Sequence, residues 1–187
     1  MLTTVLVILA RQDAGIELLR VVDYVIVGVG VLGMAVYHRA NLRLLGLPRL
    51  DARGLPPLLL GLGVIALVLV VLQVTMPFMF MDETGPYRLA GKSLAYMLVD
   101  FAVLPALGEE LVFRGVVLSG LLGVFQARTA ALVSAMLFAT IHLSPLGFLH
   151  LGILGYILAR VRLGTGSLWP CMLIHGGYNA VICLLAW

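Results

Sequence analysis

Residues 55–80 read LPPLLLGLGVIALVLVVLQVTMPFMF, without a single charged side chain. As an α-helix this stretch would be about 39 Å long, more than the ~30 Å hydrocarbon core of a bilayer. Apolar residues occur all round it rather than along one stripe, which marks a helix with no water-facing side. The stretch therefore predicts a transmembrane helix, and lipid becomes the solvent against which the rest of the chain is read.

Composition agrees. Of 187 residues, 62% are apolar and 11% charged, and the mean hydropathy is +1.12. Soluble domains carry about 25% charged residues. Water-soluble enzymes, disordered tails and nucleic-acid-binding modules are excluded, and the lipid bilayer is the expected partner. Twelve basic residues against nine acidic give +3, but in a membrane chain the placement of the positives matters more than their sum.

Working outward, apolar runs predict further spans at 21–37, 93–125, 129–143, 146–159 and 168–187. With 55–80 that makes six helices, within a range of five to seven, and an all-α polytopic transmembrane bundle. The run 93–125 is too long for one straight crossing, and Pro105 and Gly108 predict a bend near its middle. Residues 38–54 and 81–92 are expected loops. The opening MLTTVLVILA lacks a basic leading region and a small-residue cleavage site, so it reads as a short interfacial helix rather than a signal peptide. Two units are expected: N-terminal membrane helices with a basic loop over 1–92, and a membrane core over 93–187.

Arginines suggest an orientation. Arg39, Arg43, Arg49 and Arg53 crowd the loop 38–54 against Asp51 alone, and Arg128, Arg160 and Arg162 fall in short connectors. The loop 81–92 balances Asp82 and Glu83 against Arg88 and Lys92. The positive-inside rule puts the basic loops in the cytoplasm and the balanced one outside. Cys171 and Cys183 lie about 18 Å apart on one helix, too far for a disulfide, and read as buried small hydrophobes.

A charged residue at the bilayer centre costs about 2.5–3.5 kcal/mol on insertion scales. Glu109 and Glu110 nevertheless stand side by side in LPALGEELVFRG. Arg114, four residues past Glu110, shares its helix face and can pair with it. Glu109 points about 100° away and needs a partner from another helix. His142 closes the run MLFATIH, and His175 and Asn179 share one face of LIHGGYNA. Gly176 and Gly177 allow another backbone to approach.

A carboxylate, two imidazoles and an amide on three apolar segments suit hydrolysis. A carboxylate in apolar surroundings takes a proton from water more readily. An imidazole can share the water, while a second imidazole and an amide N–H can hold an oxyanion. The alternative is zinc held by Glu109, His142 and His175. Spacing does not decide between them, and no HExxH is present. Each residue also has a structural reading: an ion pair for Glu110–Arg114, interhelical hydrogen bonds for the histidines and Asn179, packing for Phe138. His150, Asp100 and Asp23 are placed outside the site. Two non-protease readings compete. One is a non-catalytic membrane scaffold, the other a small proton-coupled transporter, which should show internal repeats that this chain lacks.

Three motifs, Glu109-Glu110-Leu-Val-Phe-Arg114, Phe138-Ala-Thr-Ile-His142 and His175-Gly-Gly-Tyr-Asn179, stand in order with 33 residues between Glu109 and His142 and 33 more to His175. Together they resemble the CPBP family of intramembrane proteases, the CAAX-protease and bacteriocin-processing (Abi-like) group. The resemblance covers roughly 93–187. It implies that Glu109 and His142 activate water, that Glu110 and Arg114 brace the site, and that His175 and Asn179 stabilise the oxyanion. It implies an endopeptidase of the glutamate type, favoured over a metalloprotease, with no cofactor favoured. The implied substrate is a membrane-anchored protein or peptide: a CAAX-like or sorting tail, or a leader peptide. A compact member of this kind resembles the sorting-tail proteases of bacteria, which implies a bacterial plasma membrane. Motifs and composition leave the oligomeric state open.

Overall fold

A computed structural model describes residues 51–75, 85–142 and 147–187, with helical positions scattered between 21 and 36. The interfacial helix expected at the start, most of the basic loop, Asp23 and the acidic pair Asp82–Glu83 lie outside the described residues.

Among the described residues the chain is helical. Helix α1 spans Leu55–Thr75 and α2 is a single turn, Gly85–Leu89. Helix α3 runs unbroken through Leu94–Met97, Leu98–Val103, Leu104–Glu110, Leu111–Val117 and Leu118–Leu121. Helices α4, α5 and α6 span Ala127–Ile141, Phe148–Thr165 and Trp169–Ala186.

Local chemistry sets the ends. Before α1, the Asp51 carboxylate accepts the N–H groups of Arg53 and Gly54 at 2.9 and 3.1 Å. Pro56 and Pro57 then occupy the first turn, where a missing N–H costs nothing. Ser93 caps α3 by accepting the Tyr96 N–H. Helix α5 stops at Gly166, which takes a left-handed φ of 69° and returns its N–H to Arg162.

Two expectations need correction. The loop 81–92 contains the turn α2, packed through Tyr87 against Met97 and Cys183. Arg160 and Arg162 do not form a connector. The helix continues to Thr165, and Arg162 is buried within it. Helix α3 carries two wide π-helical segments, Leu98–Val103 and Leu111–Val117, on either side of Pro105 and the Glu109–Glu110 pair. Each π-turn inserts a residue into the α ladder and shifts the carbonyls out of register, a feature often met at functional sites.

Small residues bring the helices close, as in lipid, where close packing has to replace the hydrophobic drive. Ala130, Ala131, Ala135 and Ala139 line the buried face of α4. A Cβ at Gly155 of α5 would sit 3.1 Å from the Ala135 Cα and 3.2 Å from Phe138. Helix α1 joins the same core, with Ile65 packed among Leu154, Leu158, Val161, Cys171, Ile174 and Tyr178. The leading segment meets α3, since a Cβ at Gly30 would lie 2.8 Å from that of Leu111.

Leu59, Leu60, Leu67, Leu132, Leu149, Leu173 and Leu184 point outward, as lipid-facing residues do. Among the described residues Trp169–Ala186 has both the length and the hydropathy to cross a bilayer, while Leu55–Val68 and Ala127–Ile141 are apolar over shorter lengths. Cys171 and Cys183 are buried free thiols, as expected.

Candidate active site

Helix α3 delivers its two carboxylates to different surroundings. The Glu110 side chain and the Arg114 guanidinium are both fully buried, with Arg114 Nη1 donating to Glu110 Oε1 at 3.0 Å. Arg114 Nη2 donates to the Gly155 carbonyl of α5 at 3.0 Å, and its guanidinium lies 4.5 Å from the Phe138 ring centroid of α4. One arginine thus ties α3 to two other helices. Glu110 Oε1 is also 2.8 Å from His175 Nδ1 of α6.

Glu109 faces the other way, as a 100° rotation requires. Its Oε2 lies 3.9 Å from His142 Nε2 and 3.9 Å from His175 Nε2. That is beyond hydrogen-bond distance, and Oε2 is a buried oxygen with no hydrogen-bond partner. The Glu109 side chain keeps 13% exposure and that of His142 27%, so the cluster is reachable from outside the bundle.

His142 sits at the end of α4, yet its ring reaches a carboxylate deeper in the bundle. Side chains lean toward the N-terminal end of their helix, and the ring folds back so that Nδ1 meets the Phe138 carbonyl at 2.8 Å. A carbonyl only accepts, so Nδ1 carries the proton, and in the neutral ring Nε2 is an acceptor. The ring thereby stands within 3.9 Å of Glu109, although His142 closes its helix. Helix α4 also begins at Ala127, before Arg128.

Phe138 is a hub. Its ring stands 4.7 Å from that of His142 and 5.8 Å from that of His175, and meets Phe113 edge-on at 5.3 Å. It touches both imidazoles and the bracing arginine at once.

Asn179 is engaged elsewhere. Its Nδ2 donates to the Phe101 carbonyl of α3 at 3.1 Å. Phe101 lies in the π-helical stretch just before Pro105, a proline that leaves the carbonyls of the preceding turn one N–H short. Gly176, one turn earlier, fits against the same stretch, where a Cβ would lie 3.4 Å from the Ala102 carbonyl and from Ala106. Gly177 faces open space, with nothing within 4 Å of a Cβ.

The structure therefore brings together Glu109, His142, His175, Glu110, Arg114 and Phe138, and attaches Asn179 to the proline break. Two participants went unread in the sequence, the backbone carbonyls of Gly155 and Phe101. Pro105 was the available signal for the second. Asp100 lies outside the cluster, accepting from the Tyr87 hydroxyl at 3.2 Å. His150 sits on the first turn of α5.

Among the described residues no group of three His, Cys, Asp or Glu side chains is drawn together as a metal-ligand set, and Glu109 Oε2 stands 3.9 Å from each imidazole Nε2, somewhat wider than the roughly 3.3–3.6 Å between two ligands on one tetrahedral zinc.

Residues 91–181, close to half of the chain, match the family model described as type II CAAX prenyl endopeptidase Rce1-like. That segment holds all three motifs. Neither the curated proteins nor the solved structures give a match.

Proposed function

We propose that the chain is a membrane-embedded protease of the Rce1-like, type II CAAX prenyl endopeptidase kind that residues 91–181 match, and that Glu109 and His142 activate a water molecule for peptide-bond cleavage. One observation carries the reading: a buried, unpartnered Glu109 oxygen 3.9 Å from each of two imidazole nitrogens. Groups this far apart are too distant to bond to each other, yet a water at ~2.8 Å from each satisfies both.

Such a water donates one hydrogen to Glu109 Oε2 and the other to His142 Nε2, and turns a lone pair toward the substrate carbonyl. Its oxygen attacks the carbonyl carbon and Glu109 takes the released proton. The carbonyl oxygen becomes an oxyanion, held by His175 and by the second Nδ2 hydrogen of Asn179. Collapse breaks the C–N bond, the Glu109 proton passes to the leaving amine, and the products are a carboxylic acid and an amine.

Geometry supports the role of His175. Its Nδ1 donates to Glu110, which turns Nε2 toward Glu109 and the oxyanion. Glu110 and Arg114 hold that ring in place, and Phe138 walls the site. No step needs an ion.

Residues 93–187 act as the catalytic core and 1–92 as helices packed on it, in a multi-pass arrangement in a bacterial plasma membrane. The substrate is a membrane-anchored protein or peptide cut near a C-terminal CAAX-like or sorting tail, or at a leader peptide. The test is cleavage of such substrates by purified protein in liposomes, with and without a zinc chelator. The expected result is a single cut that the chelator leaves unchanged. No cut in any of these substrate types, by protein shown to be folded, would count against the reading.

A further inference from the structure

A second feature lies at the opposite end of α4 from His142, about 21 Å away along the helix. A cavity of about 420 Å³ opens between α1, the start of α4 and the end of α5. Pro57, Gly61 and Ile157 make its walls, with Tyr156, Arg128 and Arg160 among them. Both arginines are exposed, and among the described residues neither guanidinium has a hydrogen bond or an ion pair. Two uncompensated cations thus border an apolar space.

The space is built by backbone approach. A Cβ at Gly61 would sit 2.8 Å from Val161 and 3.2 Å from Ile157, and one at Gly164 would collide with Pro57. Helix α1 therefore lies tight against α5 on one side, while Arg128 on α4 closes the other. Leu60, which lines the cavity, and Leu59 beside it are 69% and 58% exposed, so the apolar lining continues onto the outer surface of the bundle. Arg53, at the start of α1, is exposed at the same end. Under the positive-inside rule this end meets the cytoplasmic leaflet, where anionic lipids lie.

We propose that this cavity is a binding site for one anionic phospholipid. Its phosphate sits between Arg128 and Arg160, its glycerol and first methylenes fill the apolar space, and its chains continue along Leu59 and Leu60. Charge selects the headgroup, and the lipid-facing continuation selects an amphiphile over a free anion. The site is separate from the Glu109 cluster and does not depend on its chemistry.

The experiment uses full-length purified protein in a neutral detergent. Phosphatidylglycerol, phosphatidylcholine and inorganic phosphate are each added, and thermal unfolding and lipid retention by native mass spectrometry are read. Phosphatidylglycerol is expected to raise the unfolding temperature and to be retained one per chain, with phosphatidylcholine and phosphate doing neither. The R128Q/R160Q protein should bind phosphatidylglycerol roughly 30-fold more weakly, while R88Q/K92Q, the same loss of two charges at the other end of the bundle, should leave binding unchanged. Both arginines are exposed, so folding is expected to survive, and the wild-type lipid comparison tests the site without any variant. Equal effects of the two lipids, equal protection by inorganic phosphate, or unaltered binding to R128Q/R160Q would overturn the proposal.

Discussion

Asn179 on α6 donates from Nδ2 to the Phe101 carbonyl on α3 at 3.1 Å, in the turn that Pro105 leaves one N–H short. A proline in the middle of an intramembrane helix leaves a carbonyl in need of a donor, and in hydrocarbon only protein can provide one. This bond fixes α6 at the depth where His175 meets Glu110. Removing it with Asn179→Ala is expected to cost about 1 kcal/mol of stability, because a half-buried acceptor loses its donor. Restoring an N–H with Pro105→Ala in the same protein should recover much of that loss. Denaturation in detergent reads the stability, and a parallel cleavage assay separates the two roles of Asn179. Recovered stability without recovered cleavage is the outcome expected if the second Nδ2 hydrogen holds the oxyanion.

Arg114 gives a second prediction. It is fully buried, bonded to Glu110 and to the Gly155 carbonyl, and lies against Phe138. Arg114→Met removes the cation and leaves the Glu110 carboxylate with His175 alone. Breaking a buried pair in this way costs about 3–5 kcal/mol. Arg114→Lys should recover only part of it, since one ammonium cannot reproduce the two directed bonds of the guanidinium fork. Unfolding followed by circular dichroism measures both.

A third concerns the seam between α4 and α5. A Cβ at Gly155 would press on Ala135 at 3.1 Å and on Phe138 at 3.2 Å, and Phe138 in turn touches both imidazoles. Gly155→Leu should overpack this seam at a cost of about 1–3 kcal/mol. It should also displace His142, so kcat should fall more than stability alone explains. Cleavage measured well below the unfolding temperature checks this.

The way the sequence revealed these contacts follows from their physics. Charged groups in an apolar chain stand out, so Glu109, Glu110 and Arg114 could be found from composition, and the i, i+4 relation predicted the ion pair that forms. The turn back to Glu109 from His142 was less visible, because it depends on how a ring folds against its own helix end. The partners of Arg114 and Asn179 are backbone carbonyls, which no residue type announces. Helix ends were misjudged where charge suggested a loop, as in α5, expected to stop at 159 but continuing to Thr165 before Gly166. Arg160 and Arg162 lie inside α5 because long basic side chains can reach from a helix toward the interface or pack along it.

The most direct test compares Glu109→Gln with Glu110→Gln in liposomes containing a membrane-anchored CAAX-type substrate, with folding checked by thermal unfolding. Glu109→Gln removes the proton acceptor with little change in shape, and cleavage is predicted to fall by about 10²–10⁴-fold while the unfolding temperature is retained. Glu110→Gln is predicted to lower stability, because the partner charge of Arg114 is lost. Cleavage by the Glu109→Gln protein at the wild-type rate would contradict the account.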